Sequence, residues 1–178
     1  AVIKANQIPY NYISCKEAQE LSTSLSTGGK TGSLMFGIQW DLICKFLETK
    51  GGLTQTEIKG GDGIGSTNWG NYNNSSITIL RGKFNATPDI ATSQWSDTIQ
   101  GKKNSTILLT TGASEEAKKM NIYDFAGNVW EWTLETNTSD NTLPCGYRGG
   151  VCFLSGSNVP AYIHGSNTSL LRQRRCWF

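Results

Sequence analysis

Two stretches near the start of the chain carry apolar residues at helical spacing; later stretches carry them in short runs separated by Gly, Asn and Ser. Ser14 opens a Ser-x-x-Glu pattern with Glu17. In that arrangement two side chains satisfy amides that a helix start leaves free. Leu21 and Leu25 follow at helical spacing, which predicts a helix over 15–26 that Gly28 and Gly29 end. Upstream, 6–13 reads as extended because Pro9 cannot supply a helix donor. A second helix is predicted from Gly37 to Lys50, with Ile38, Leu42, Ile43, Phe46 and Leu47 as its apolar stripe. Trp40 either extends that stripe or lies at its edge. Gly51 and Gly52 terminate it.

After these helices the pattern shortens. Gly60 to Ser76 is rich in Gly, Asn and Ser, and the embedded Trp69 and Tyr72 predict an ordered loop rather than a loose one. Ile77–Leu80 and Ile107–Thr111 are short strand candidates. The densest aromatic cluster lies in 120–133, and 147–153 suggests a strand whose glycines let backbones approach closely. No repeat and no linker divides the chain, so 1–178 is expected to be a single domain. Because the sequence does not begin with Met, it is expected to be the C-terminal part of a longer protein.

Composition narrows the class. Charged residues make up only 17% of the 178 residues, which favours a loop-rich fold with short strands over a helical bundle. Six Trp, six Tyr and six Phe supply enough aromatic surface to exclude a disordered chain. The net charge of +2 and a basic tail of Arg172, Arg174 and Arg175 give no basic face for nucleic acid. No apolar run is long enough to span a bilayer. Five cysteines at irregular spacing, with no Cys-x-x-Cys, form neither a disulfide framework nor a thiolate zinc site. Cys145 and Cys152 could face each other across a turn, but free thiols are the expected state. His164, the single histidine, excludes any site that needs two imidazoles from this chain.

Residues 124–132 read Asp-Phe-Ala-Gly-Asn-Val-Trp-Glu-Trp, and Arg148-Gly149-Gly150 follows. This pair, in this order, resembles the hallmark of the formylglycine-generating-enzyme (sulfatase-modifying-factor) family. Leu34 to Asp41 and Thr67 to Tyr72 are similar to segments of a bacterial and phage subgroup. The resemblance spans about Ile8 to Pro160. It implies an α+β, C-type-lectin-like fold: two helices with small twisted antiparallel sheets and long irregular loops. The motif also reads physically. Trp130 and Trp132 share one side of an extended segment and Glu131 points the other way; Gly127 permits a tight turn before it.

The resemblance implies a calcium site in which Asp124 and Glu131 give carboxylates and Gly127 and Val129 give backbone carbonyls. All four are the hard oxygen donors calcium takes. The alternative is that Asp124 caps the turn and Glu131 pairs with a buried group such as an arginine. The family's oxidases bind copper through two cysteines after Arg-Gly-Gly. The corresponding positions here are Leu154 and Val159, neither a copper ligand, so no copper and no catalysis are expected.

The subgroup resembled most includes variable proteins of diversity-generating retroelements, in which the segment after the tryptophan motif is a hypermutated ligand-binding face. By that resemblance the chain is a non-catalytic display domain, a variable adhesin or phage receptor-binding protein. Its face would comprise Val151, Cys152, Phe153, Leu154, Ser155, Tyr162, Ile163 and His164. Phe153 could equally be a half-buried strand residue. The expected partner is a protein or glycan on a cell surface, and the expected location is extracellular, on a cell surface or on a phage virion. The other readings are a copper oxidase of the same family or a degenerate scaffold member.

Overall fold

The computed structural model describes residues 4–86, 95–97, 100–103, 105–139, 142 and 144–167, with the backbone of 176–177. Among these, three α-helices come first: α1 (Cys15–Ser24), α2 (Gly37–Thr49) and α3 (Gln55–Lys59). Short strands follow: β1 (Thr78–Ile79), β2 (Lys83–Asn85), β3 (Ser96–Asp97), β4 (Gly101–Lys102), β5 (Leu108–Leu109), β6 (Lys118–Lys119) and β7 (Ile122–Tyr123). The longer β8 (Trp130–Thr136), β9 (Cys145–Arg148) and β10 (His164–Asn167) precede the two-residue β11 (Cys176–Trp177). The fold is α+β, with small sheets that are antiparallel except at one edge. β10, β9, β8 and β11 form the largest sheet in that order, and β11 runs parallel to β8. No described helix is long and apolar enough to cross a membrane. The arginines of the tail lie outside the described residues.

Local chemistry accounts for the helix starts. Ser14 Oγ accepts the Glu17 amide at 3.3 Å while Glu17 Oε2 accepts the Ser14 amide at 2.9 Å, as the sequence predicts. α3 was not predicted, although Thr54 and Glu57 make the same reciprocal pair. Both boxes fix the first turn without help from packing.

The second helix forms where expected, with Ile43 and Leu47 of the expected stripe on its core side and the rest of that stripe turned outward. Trp40, Cys44 and Leu47 are the buried face, whereas Ile38, Leu42 and Phe46 are exposed by 66%, 61% and 41%. The cause is Trp40. Its ring stacks on Phe125 at 4.0 Å and its indole N–H donates to the Ala161 carbonyl at 3.0 Å. Residues two apart on a helix point roughly 200° from each other, so an inward Trp40 turns Ile38 and Leu42 outward. Replacing Ile38 or Leu42 by Lys is therefore expected to change unfolding free energy by less than about 0.5 kcal/mol. A loss above about 2 kcal/mol in a urea melt would mean that this face is covered in the folded chain.

Two of the apolar clusters position the later loops. Trp40, Cys44 and Leu47 of α2 join Leu53, Ile58, Trp69, Tyr72, Phe125, Ala126 and Ala161. Ile13, Cys15, Ala18 and Leu34 pack with Trp132, tying α1 to β8. Trp130 and Trp132 both lean on Tyr147, with ring centroids 4.9 and 6.0 Å away, as strand alternation requires. β5 alternates as well. Leu108 packs with Val129 and Cys152, and Leu109 with Ile77, Ile79 and Ile107.

Candidate binding face

The Gly-Asn turn of the tryptophan motif is the joint on which the later segment hangs. Gly127 has φ +73° and Asn128 φ +66°. The Asn128 side chain is buried and acts like a piece of strand. Its Oδ1 accepts the Leu109 amide at 3.0 Å and the Asn71 Nδ2 at 2.8 Å, while its Nδ2 donates to the Leu109 carbonyl at 3.0 Å. The turn then holds the Arg-Gly-Gly segment: the Gly127 amide donates to the Gly149 carbonyl at 2.6 Å and the Cys152 amide to the Asn128 carbonyl at 3.0 Å.

β9 ends at Arg148, so only Tyr147 and Arg148 of the strand expected over 147–153 belong to it. Gly150 has φ +86°, and a Cβ there would collide with the Val159 carbonyl and the Tyr72 ring. Only glycine lets the chain turn inward at that point. This corrects the expected face. Val151 and Cys152 are 1% and 0% exposed, because the turn sends them into the core, Cys152 against Leu108 and Val129. Neither side chain can meet a partner in this conformation.

The remaining candidates form two groups with different neighbours. In the first, Leu154 is 38% exposed and Phe153 and Ser155 are half-buried. The loop read as ordered, Gly60 to Ser76, supports them through their main chain. Asn73 donates its amide to the Leu154 carbonyl at 3.0 Å and its Nδ2 to the Phe153 carbonyl at 3.1 Å. The Gly156 amide donates to Asn74 Oδ1 at 3.1 Å. Exposed Ile64, Asn73, Asn74 and Asn158 extend this patch, and the sequence reading missed all four. Below it the buried Lys103 ammonium donates to the Tyr72 carbonyl, and burial lowers its pKa to about 8.

The second group is Tyr162, Ile163 and exposed His164, where the chain enters β10. The Tyr162 amide donates to the Ile58 carbonyl of α3 at 3.1 Å. Lys59 Nζ lies 4.7 Å from the centre of its ring and the Arg148 guanidinium 5.6 Å. A cleft of about 160 Å³ opens beside it, lined by Asp41, Cys44, Lys45, Glu48, Gln55, Ile58 and Lys59. It offers an aromatic ring flanked by charges of both signs, a surface for polar ligands.

Arg148 anchors this second group. It is 3% exposed, and its Nε and Nη2 donate to Glu135 at 2.7 and 3.0 Å. Nη1 donates to the Tyr162 carbonyl at 3.1 Å and lies 3.3 Å from Asp41 Oδ1. A bulge in β8 between Trp132 and Thr136 aims Glu135 at it.

Of the four residues expected to bind calcium, Gly127 lies in the turn described above, and the other three are placed as follows. Asp124 is 8% exposed and sits at φ +53°, and its Oδ2 accepts the Gly112 amide at 2.6 Å. Burial pushes its carboxyl up to about 6. Val129 is core, and Glu131 is half-buried in register with Arg148. Among the described residues no group of three or more His, Cys, Asp or Glu could hold a metal ion. Asp124 is a carboxyl withdrawn from water, which disfavours its charged form. Calcium there would take most of its about six to eight oxygens from backbone and water.

No family model, curated protein or solved structure matches the chain.

Proposed function

We propose that this chain is a non-catalytic ligand-binding domain of the C-type-lectin-like, formylglycine-generating-enzyme type. It presents residues 153–164 to a protein or glycan outside the cell, on a cell surface or on a phage virion. The observation that carries the reading is how that segment is held. Its main chain is hydrogen-bonded to the Asn73–Asn74 loop and to α3, while the Leu154 and His164 side chains stand free of the core. A surface fixed through its backbone binds without a large ordering cost. The face in this proposal is Phe153, Leu154, Ser155, Tyr162, Ile163 and His164, joined by Asn73, Asn158 and Lys59. The absence of catalysis rests on residue identity: Leu154 and Val159 stand where the resembled oxidases carry their copper-binding thiols. Calcium enters at Asp124 as a structural ion, apart from the face.

Binding of the labelled chain to a glycan array and to intact bacterial cells tests this. Leu154→Asp and Tyr162→Ala are each expected to weaken any specific binding at least about tenfold, as for residues central to an interface. Melting temperature distinguishes lost contact from lost fold. Binding that survives both substitutions sinks the assignment of the face. Copper-dependent oxidation of a cysteine-containing peptide by the chain would establish the oxidase instead.

A further inference from the structure

Cys15 and Cys145 come from opposite ends of the chain and meet in one place. Cys15 is the first residue of α1, 7% exposed, with its backbone fixed by the Ser14–Glu17 capping pair. Cys145 opens β9, in register with Thr136 on one side and Asn167 on the other. It is half-buried and packs against the cluster that contains Cys15, Ala18 and Trp132. Cys145 is close enough to Cys15 to help raise its thiol pKa, by hydrogen bonding and by charge. Neither is in a disulfide in this structure. The sequence leaves open that Cys152 faces Cys145 across a turn, with free thiols expected; Cys152 is turned into the core behind Gly150.

We infer that Cys15 and Cys145 are a built cross-linking site, which closes to a disulfide when the chain meets an oxidising thiol–disulfide pool. Two features favour closure. Both backbones are already fixed by secondary structure, so little freedom is lost in bringing the sulfurs together. The loop closed would cover most of the chain, where a cross-link removes most entropy from the unfolded state. The more accessible sulfur, Cys145, meets the external disulfide first. It attacks one sulfur of a small disulfide such as oxidised glutathione, and its proton leaves with the first thiol expelled. Cys15 Sγ then attacks the Cys145 sulfur of the mixed disulfide, and its proton leaves with the second. Two protein thiols are oxidised and one external disulfide is reduced to two thiols. Burial, with the neighbouring Cys145, pushes the Cys15 thiol up to about 12, which makes the second step the slow one. The cross-link would join α1 to the strand that leads into Gly149 and Gly150. The inference does not depend on the proposed binding role.

The test compares the whole chain equilibrated in reduced and in oxidised glutathione, then alkylated and digested without reduction. The oxidised sample is expected to yield one disulfide-linked peptide pair bearing Cys15 and Cys145, and two fewer alkylatable thiols. Its melting temperature should rise by about 10 °C over the reduced sample. Cys15→Ser and Cys145→Ser, both soluble and folded by circular dichroism, should each lose the pair and the rise. Should either variant fail to fold, the wild-type comparison stands alone. Cys15 and Cys145 both remaining alkylatable in oxidised glutathione overturns the inference, as does Cys145 linked to Cys152 or Cys176. A Cys15–Cys145 pair that forms without stabilising the chain overturns it too.

Discussion

Replacing Arg148 by Met is expected to cost the fold about 3 kcal/mol, read as a lower urea midpoint at unchanged slope. Arg148 is 3% exposed and serves three neighbours at once: Glu135 on β8, Asp41 on α2 and the Tyr162 carbonyl. Met fills much the same volume, so the loss comes from two carboxylates left facing a site without its cation. Their own partial exposure, 30% for Glu135 and 39% for Asp41, lets water relieve some of that penalty and keeps the figure at the lower end for a buried pair. The second arm is Glu135→Met in the Arg148→Met background. It removes one orphaned carboxylate and is expected to restore about 1 kcal/mol or more. A single variant that loses less than about 1 kcal/mol would show that the three neighbours do not depend on Arg148.

Asp124→Asn is expected to act in the opposite direction. The Asp124 carboxyl is pushed from its ordinary 3.8 to about 6 by burial, against the lowering effect of the Gly112 amide. A carboxyl raised in the folded state favours folding while protonated, and that advantage is lost as pH climbs from the unfolded value through the folded one. The calcium-free chain should therefore lose about 3 kcal/mol between roughly pH 4 and pH 7, all else equal. Asn keeps an oxygen for the Gly112 amide and tolerates φ +53°. The variant should consequently be more stable than wild type by about 3 kcal/mol at pH 7.5 in EDTA, and equal to it near pH 4. Calcium inverts the comparison. A divalent ion on Asp124 would raise the wild-type melting temperature and leave the variant unchanged. A pH-independent difference in EDTA would remove the desolvated carboxylate from the account, and a wild type indifferent to millimolar calcium would remove the ion.

The readable parts of the sequence were those settled by neighbours close along the chain. The Ser14–Glu17 pair marks the start of α1 by itself, and Trp69 and Tyr72 mark their loop as ordered because such rings need something to pack on. Thr54–Glu57 carries the signature of Ser14–Glu17, and α3 could have been read from it. The misread parts were settled from far away. The face that α2 buries is chosen by Phe125 and Ala161, which no period within Gly37–Thr49 can encode. Val151 and Cys152 look like the start of an apolar surface run. They point inward because Gly150 turns beneath Val159 and because Asn128 takes the Cys152 amide. Asn73 and Asn74 belong to the candidate face with no periodic mark at all. An asparagine in a glycine-rich loop looks the same whether it bonds a distant carbonyl or only water.

The way the Phe153–Leu154 turn is fastened has a consequence for change over generations. Asn73 grips carbonyl oxygens, which every amino acid possesses. What sits on the Cα of Leu154 contributes nothing to that grip. Mutation can thus rewrite the outward chemistry there while the architecture beneath stays put, and the burden of constancy falls on Asn73, Asn128 and Gly150. Novelty at such a site costs little in folding.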